Sequence, residues 1–230
     1  MKNFSDLAGR PVKTLYPDNA AAYTYYNSKG QRTNQVDPDG VSTLYEYNAK
    51  GELEYTVLDV NRDGAYRTGS DRITRTGSAV TTANGHNVQQ TKTYVWDTPA
   101  DAPNLVSTLE TTVDGRTNWA TRFGLTTRQE TSFDPANGKR TVLTIPPVGV
   151  PATNVYLHGR LISTSRGILG GSTNVYDGHG RPVLVTDVRT GTTTNTFDAA
   201  DRLTAVATPA PASGQSSQVT STYYDSVDRV

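Results

Sequence analysis

The residues best suited to chemistry lie together at Asp59-Val60-Asn61-Arg62-Asp63-Gly64. Side-chain oxygens at the first, third and fifth positions, followed by a turn glycine, reproduce the first half of a calcium-binding loop. The closing carboxylate belongs at position twelve, which is Ser70, and Asp71 arrives one residue late. Asp59, Asn61, Asp63 and Asp71 are therefore the candidate metal ligands, with calcium the candidate ion and no other cofactor implied. An Asx-rich turn between two strands explains the same residues without a metal.

The other reactive groups are sparse. His158 and His179 lie 21 residues apart, each immediately before a glycine, and His86 sits in Asn84-Gly85-His86-Asn87. Equivalent positions on stacked hairpins are about 10 Å apart, too far to share a zinc ion. Gly167-Ile168-Leu169-Gly170-Gly171-Ser172 is glycine-rich but has neither the lysine nor the following helix of a phosphate loop. Trp96 and Trp119, among 13 Tyr, are the candidate stacking surface for a sugar, the alternative to a role in the core. No pairing of a histidine with an activated hydroxyl is legible, and the reading is of a chain that is not an enzyme.

Composition narrows what can position these groups. The chain has 230 residues, no Cys, and 22 basic against 22 acidic side chains. That balance, with no basic block, argues against a nucleic-acid surface. No apolar run reaches the ~20 residues of a membrane-spanning helix. Thirty-six Thr, 22 Val and 13 Tyr suit a half-buried pleated surface, while Leu, Ile, Val and Phe total only 44. The class expected is all-β.

A period runs through the chain. Tyr176-Asp177-Gly178-His179-Gly180-Arg181, Phe197-Asp198-Ala199-Ala200-Asp201-Arg202 and Tyr224-Asp225-Ser226-Val227-Asp228-Arg229 share one plan: aromatic, Asp, two variable residues, Gly or Asp, Arg. Tyr26 to Gly30 and Tyr47 to Gly51 follow it with Asn for Asp, and Asp6 to Gly9-Arg10 nearly does. Gly9, Gly30 and Gly51 are 21 residues apart, as are Gly138, Gly159-Arg160, Gly180 and Asp201. Weaker rungs at Asp71 and Gly115 bridge the two blocks. Alternating runs such as Leu53, Tyr55, Val57 lie between Gly/Pro/Asn/Asp turns, which is the hairpin signature. The expectation is a single array over 1–230, regular at 5–57 and 134–230 and more irregular at 58–133, of about ten hairpins in a curved or spiralling sheet. Arg–Asp pairs and stacked aromatics should fix the turns.

Repeats of this length carrying Tyr-Asp-x-x-Gly-Arg resemble the YD repeats of rearrangement-hotspot (Rhs) proteins, toxin-complex shell subunits, wall-associated proteins and teneurins. The resemblance implies a strip of hairpins wound into a hollow shell, without catalysis in the repeats. It implies as partners the remainder of the shell and an enclosed C-terminal effector, and a secreted or cell-surface location. The chain begins and stops within a repeat and reads as a segment of such a shell. Its edge strands are expected to seek partners by self-association. The alternative is an extracellular module that binds glycan or cell wall through Trp96 and Trp119.

Overall fold

In a computed structural model, the structure describes residues 1–96, 102–212 and 214–225. Nineteen strands carry the fold, all pairing antiparallel, and the one helical element described is a single 3-10 turn at Gly167–Leu169. No helix among the described residues is long and apolar enough to cross a membrane. The chain divides into two compact units: Met1–Gly115 with Trp119–Thr126, and Arg116–Asn118 with Thr127–Val230.

The first unit holds β1 (Lys2–Ser5), β2 (Pro11–Leu15), β3 (Ala21–Tyr26), β4 (Arg32–Val36), β5 (Ser42–Tyr47), β6 (Leu53–Asp59), β7 (Arg72–Ala83), β8 (His86–Val95) and β9 (Asn104–Thr112). Each pairs with the next in sequence order. The strand β10 (Thr117–Arg122) and the start of β11 (Leu125–Asp134) fall across the division of the chain. The second unit continues with β12 (Lys139–Ile145), β13 (Ala152–Leu157), β14 (Arg160–Ser165), β15 (Gly171–Tyr176), β16 (Pro182–Asp187), β17 (Gly191–Phe197), β18 (Leu203–Thr208) and β19 (Gln218–Ser221). These too pair successively.

Turn chemistry sets the strand lengths. From Asp6 to Glu52 the chain reverses at 6–10, 16–20, 27–31, 37–41 and 48–52, always by one scheme. The first residue of the turn donates its N–H to the carbonyl of the fifth, and the fourth donates back to the carbonyl of the first. This is a type I turn closed by a residue in the left-handed region. The fourth residue is Gly9, Asn19, Gly30, Gly40 or Gly51, with φ of 67–85°. Reversals therefore alternate at intervals of ten and eleven residues, so one 21-residue period contains two turns, one at each end of the strands.

The motif aromatic has a fixed place in this scheme. The register slips by one residue immediately before Tyr26, Tyr47, Tyr176 and Phe197. Each ring thus stands at a β-bulge beside its turn, where the extra residue re-aims the side chain.

Packing differs along the chain. Strands of the regular repeats are half-buried at best, apart from the end of β6. All seven buried residues described, Val57, Asp59, Asp71, Ile73, Val88, Thr112 and Trp119, lie in the first unit, six of them within the irregular stretch and Val57 at its border. Val57 sits between Leu44 and Ile73 across β5, β6 and β7, and Val88 sits between Thr81 and Thr112 across β7, β8 and β9. β7 and β8 run to 12 and 10 residues, where regular strands have 4–7.

Candidate functional site

The motif residues converge on the turns and interlock there. In five copies the first residue of the turn, Asp6, Asn27, Asn48, Asp177 or Asp198, points its Oδ1 back at the turn and accepts the N–H of the second and fourth residues beyond it. The remaining side-chain atom then selects its partner four residues on. Where it is a carboxylate oxygen, arginine donates: Arg10 Nε to Asp6 at 2.7 Å, Arg181 Nε to Asp177 at 2.7 Å, Arg202 Nε to Asp198 at 2.8 Å. Where it is an amide nitrogen, the partner is an acceptor: Asn27 donates to Gln31 and Asn48 to Glu52, each at 2.8 Å. Donor and acceptor exchange together.

These contacts act on the acids. The Arg10 guanidinium, with its own N–H, holds the Asp6 carboxyl below its ordinary range. The Arg181 N–H and then its guanidinium hold Asp177 down to about 2. Asp198 is lowered in the same way by Arg202. All three are carboxylates at neutral pH.

The arginine also reaches the next repeat. Arg10, Arg181 and Arg202 lie 4.6–4.7 Å over the rings of Tyr26, Phe197 and Tyr224, and Arg140 lies 4.2 Å over Tyr156. Arg160 stands 5.9 Å from the Tyr176 ring, and a Cβ at Gly180 would meet its Nη2 at 2.5 Å. A φ of 84° favours glycine at 180, and the Arg160 guanidinium lies across it. Arg181 Nη1 further donates to Asp201 Oδ1 at 2.6 Å, an oxygen that His179 Nδ1 also meets at 2.9 Å. From the ring side, the hydroxyls of Tyr26, Tyr176 and Tyr224 donate to the carbonyls of Pro11, Leu161 and Leu203, and Tyr47 to that of Arg32. Each acceptor directly follows the residue that closes the preceding motif turn. Phe197 lacks a hydroxyl, and Pro182 O there accepts from Asn195 Nδ2 at 2.9 Å, as Leu161 O accepts from Asn174 Nδ2 beside the Tyr176 hydroxyl.

Two anchors depart from the common turn. At Gly159 the strands β13 and β14 pair up to Leu157–Arg160, leaving a two-residue turn of His158 and Gly159, both at positive φ. The cause is one fewer residue between Tyr156 and Arg160 than between Tyr176 and Arg181. At Gly138 a four-residue turn joins Asp134 to Lys139. Asp225 is described at the end of the last repeat, while Asp228 and Arg229 lie outside the described residues.

The four candidate metal ligands come together in the loop between β6 and β7, and their oxygens are occupied by the loop itself. Asp59, 1 % exposed, accepts the N–H of Asp63 at 3.2 Å and of Gly64 at 2.9 Å. Asp71 accepts the N–H of Val60 at 3.2 Å and of Arg67 at 2.9 Å. Asn61 donates to Asp63 and Ser70, and Asp63 pairs with the Arg67 guanidinium, which lowers its pKa. Among the described residues no group of three or more His, Asp or Glu side chains is arranged to hold a metal ion. Tyr66 from the same loop packs edge-on against Tyr55, with centroids 5.5 Å apart at 86°. Trp96 lies 6.2 Å from that ring. Trp119, 8 % exposed, is turned inward 5.8 Å from His86. The two tryptophans keep separate company.

A profile of the RHS repeat matches residues 26–64 and 176–214. No curated protein sequence matches the chain. Among solved structures, the chain is similar to one described as TcdB2-TccC3 without its hypervariable C-terminal region. The TM-score is 0.51 at 14 % identity, covering 96 % of this chain and 13 % of that one. Similarity to a TcdB2-TccC3-Cdc42 structure has a TM-score of 0.35 at 14 % identity, over 95 % of this chain and 15 % of that one. For a Photorhabdus luminescens Tc holotoxin pore carrying the mutation TccC3-D651A the TM-score is 0.32 at 14 % identity, with coverages of 95 % and 15 %. The chain thus spans 13 % of the length of the first of these. Two RHS-repeat matches, at 26–64 and 176–214, cover four of the interlocked motif turns, and the same turn recurs outside them at Asp6–Arg10.

Proposed function

We propose that the chain is a non-catalytic wall segment of a larger Rhs/YD-repeat shell, secreted or displayed at the cell surface. Its partners are the remainder of the shell and an effector enclosed by it. The observation carrying this reading is the use made of the motif. Its acids, arginines and hydroxyls hold a turn or reach the neighbouring repeat, as Arg181 does with Asp177, Phe197 and Asp201. Side chains committed in this way serve to build an extended surface. In a repeat array of this kind stability is the sum of local terms and nearest-neighbour contacts, which suits a wall that grows by adding units.

Microscopy of the full-length protein containing this segment tests the proposal. A hollow particle, with any segment downstream of the repeats protected from protease until the particle is unfolded, is the expected result. A solid or rod-like particle whose downstream segment is cleaved at once would overturn it.

A further inference from the structure

β7 is paired on both sides only as far as Arg75. Beyond the pair Tyr55–Arg75 its outer edge, Thr76 to Ala83, has β8 on one side and no strand on the other among the described residues. Exposed edges are ordinarily guarded by charge, proline or a bulge. Thr76-Gly77-Ser78-Ala79-Val80-Thr81-Thr82-Ala83 carries no charged residue and no proline, and it pairs with β8 without a register shift. Its β-branched Thr and Val residues favour an extended, pairing conformation.

The face beside this edge is unevenly filled. Val57 and Ile73 are buried at one end of it, and Val88, Thr112 and Trp119 at the other. Between them lies a groove of about 410 Å³, bordered by Asn48, Glu54, Arg75, Gly77, Lys92 and Tyr94. Gly77 forms its floor, although its φ is not positive and a Cβ there would meet nothing within 4 Å. A glycine inside a strand weakens it, and neither backbone conformation nor internal packing demands one here. What remains is room for an incoming group. Directly opposite Gly77 in the register stands Lys92, half-buried, with no hydrogen bond or ion pair among the described residues. Arg75, the next cation along this face, is taken by Glu54 at 2.7 Å.

From this juxtaposition we propose that the edge Thr76–Ala83 is a docking site for an extended acidic peptide segment. The segment adds as a strand to β7 and places an aspartate or glutamate side chain over Gly77 against Lys92. Main-chain hydrogen bonds supply affinity in this mode of recognition, and the pocket beside the edge supplies selectivity. The carboxylate gives Lys92 the partner it lacks, and the bond is charge-assisted.

Two synthetic peptides of alternating Thr and Val, identical except for a central Asp or Lys, serve as probes in titration calorimetry. The Asp peptide is expected to bind at least about tenfold more tightly, and Lys92→Gln to remove that preference. Lys92→Glu should invert it toward the Lys peptide. Val80→Lys alters an exposed residue on the edge and should abolish binding of both while leaving the melting temperature within a few degrees. Gly77→Val should weaken the Asp peptide without loss of stability, since the Cβ has open space. Equal affinity for the two peptides, absence of binding, or an Asp preference that survives Lys92→Gln would each overturn the assignment. A concentration-dependent dimer removed by Val80→Lys would also overturn it, by making a second copy the occupant.

Discussion

The regular turns and the loop between β6 and β7 use the same side chains to opposite ends. In the turn Asp177–Arg181 an aspartate caps backbone amides in contact with solvent, and its arginine reaches outward to the next repeat. In the loop Asp59–Asp71 two aspartates cap backbone amides while buried, beside Val57 and Ile73, and bind the loop to itself. Repetition therefore distributes stability thinly along the strip. The irregular stretch concentrates it.

The sharpest way to break this contrast is by truncation. Ile73→Ala should cost about 2–4 kcal/mol and Val57→Ala somewhat less, whereas Val185→Ala on the half-buried face of β16 should cost under ~1 kcal/mol. Equal losses in chemical denaturation would mean that the regular strands carry a core of their own. Next in size is Asp59→Ala, which strips the acceptor from two amides at a buried site and should destabilise by about 2–3 kcal/mol. The same loop holds the calcium pattern. Because its carboxylates already hold backbone N–H groups, millimolar calcium should leave the melting temperature unchanged, and a rise would assign Asp59, Asn61, Asp63 and Asp71 a metal.

Acid acts on the other side of the comparison. Asp6, Asp177 and Asp198 have depressed folded-state values, so their contribution is present above the ordinary carboxylate pKa of 3.8 and is lost as pH falls through the folded values, for Asp177 about 2. Melting temperatures recorded from pH 5 down to about 2 should fall over that window, and Asp177→Asn with Asp198→Asn should flatten the curve. The smallest effect belongs to a turn: Asn19, at φ 67°, should gain a few tenths of a kcal/mol to ~1 kcal/mol on replacement by glycine.

Much of the strip was legible because its signals are local. Anchor spacing, Gly and Asn at the reversals and strict alternation between them give hairpins directly, and Asp177 with Arg181 pair as their spacing implies. The second turn of each period, at 16–20 and 37–41, was visible only as a turn signal. Its identity in geometry to the motif turn depends on Asn19 and Gly40 adopting positive φ, which the residue types permit without requiring. The exchange of Asp–Arg for Asn–Gln and Asn–Glu is written in the sequence, but it has meaning only once the fifth residue is known to face the first. Longer-range placements left no mark. Nothing near Arg10 announces Tyr26, and nothing near Gly77 announces Lys92, since strand register decides both.

Within each unit, described strands that pair with the next in sequence have a mechanical consequence. Pulled by its ends, such a strip loads its hydrogen bonds one rung at a time, and each regular repeat should peel away separately. Extension would then proceed in steps of about 70 Å for 21 residues. The knot formed by Val57, Ile73 and the loop Asp59–Asp71 cannot be unzipped in that manner, because its side chains must leave contact together. Under tension the regular repeats are expected to behave as a tear strip, weak and graded, and the buried stretch from Val57 to Trp119 as a stitched seam that gives way abruptly.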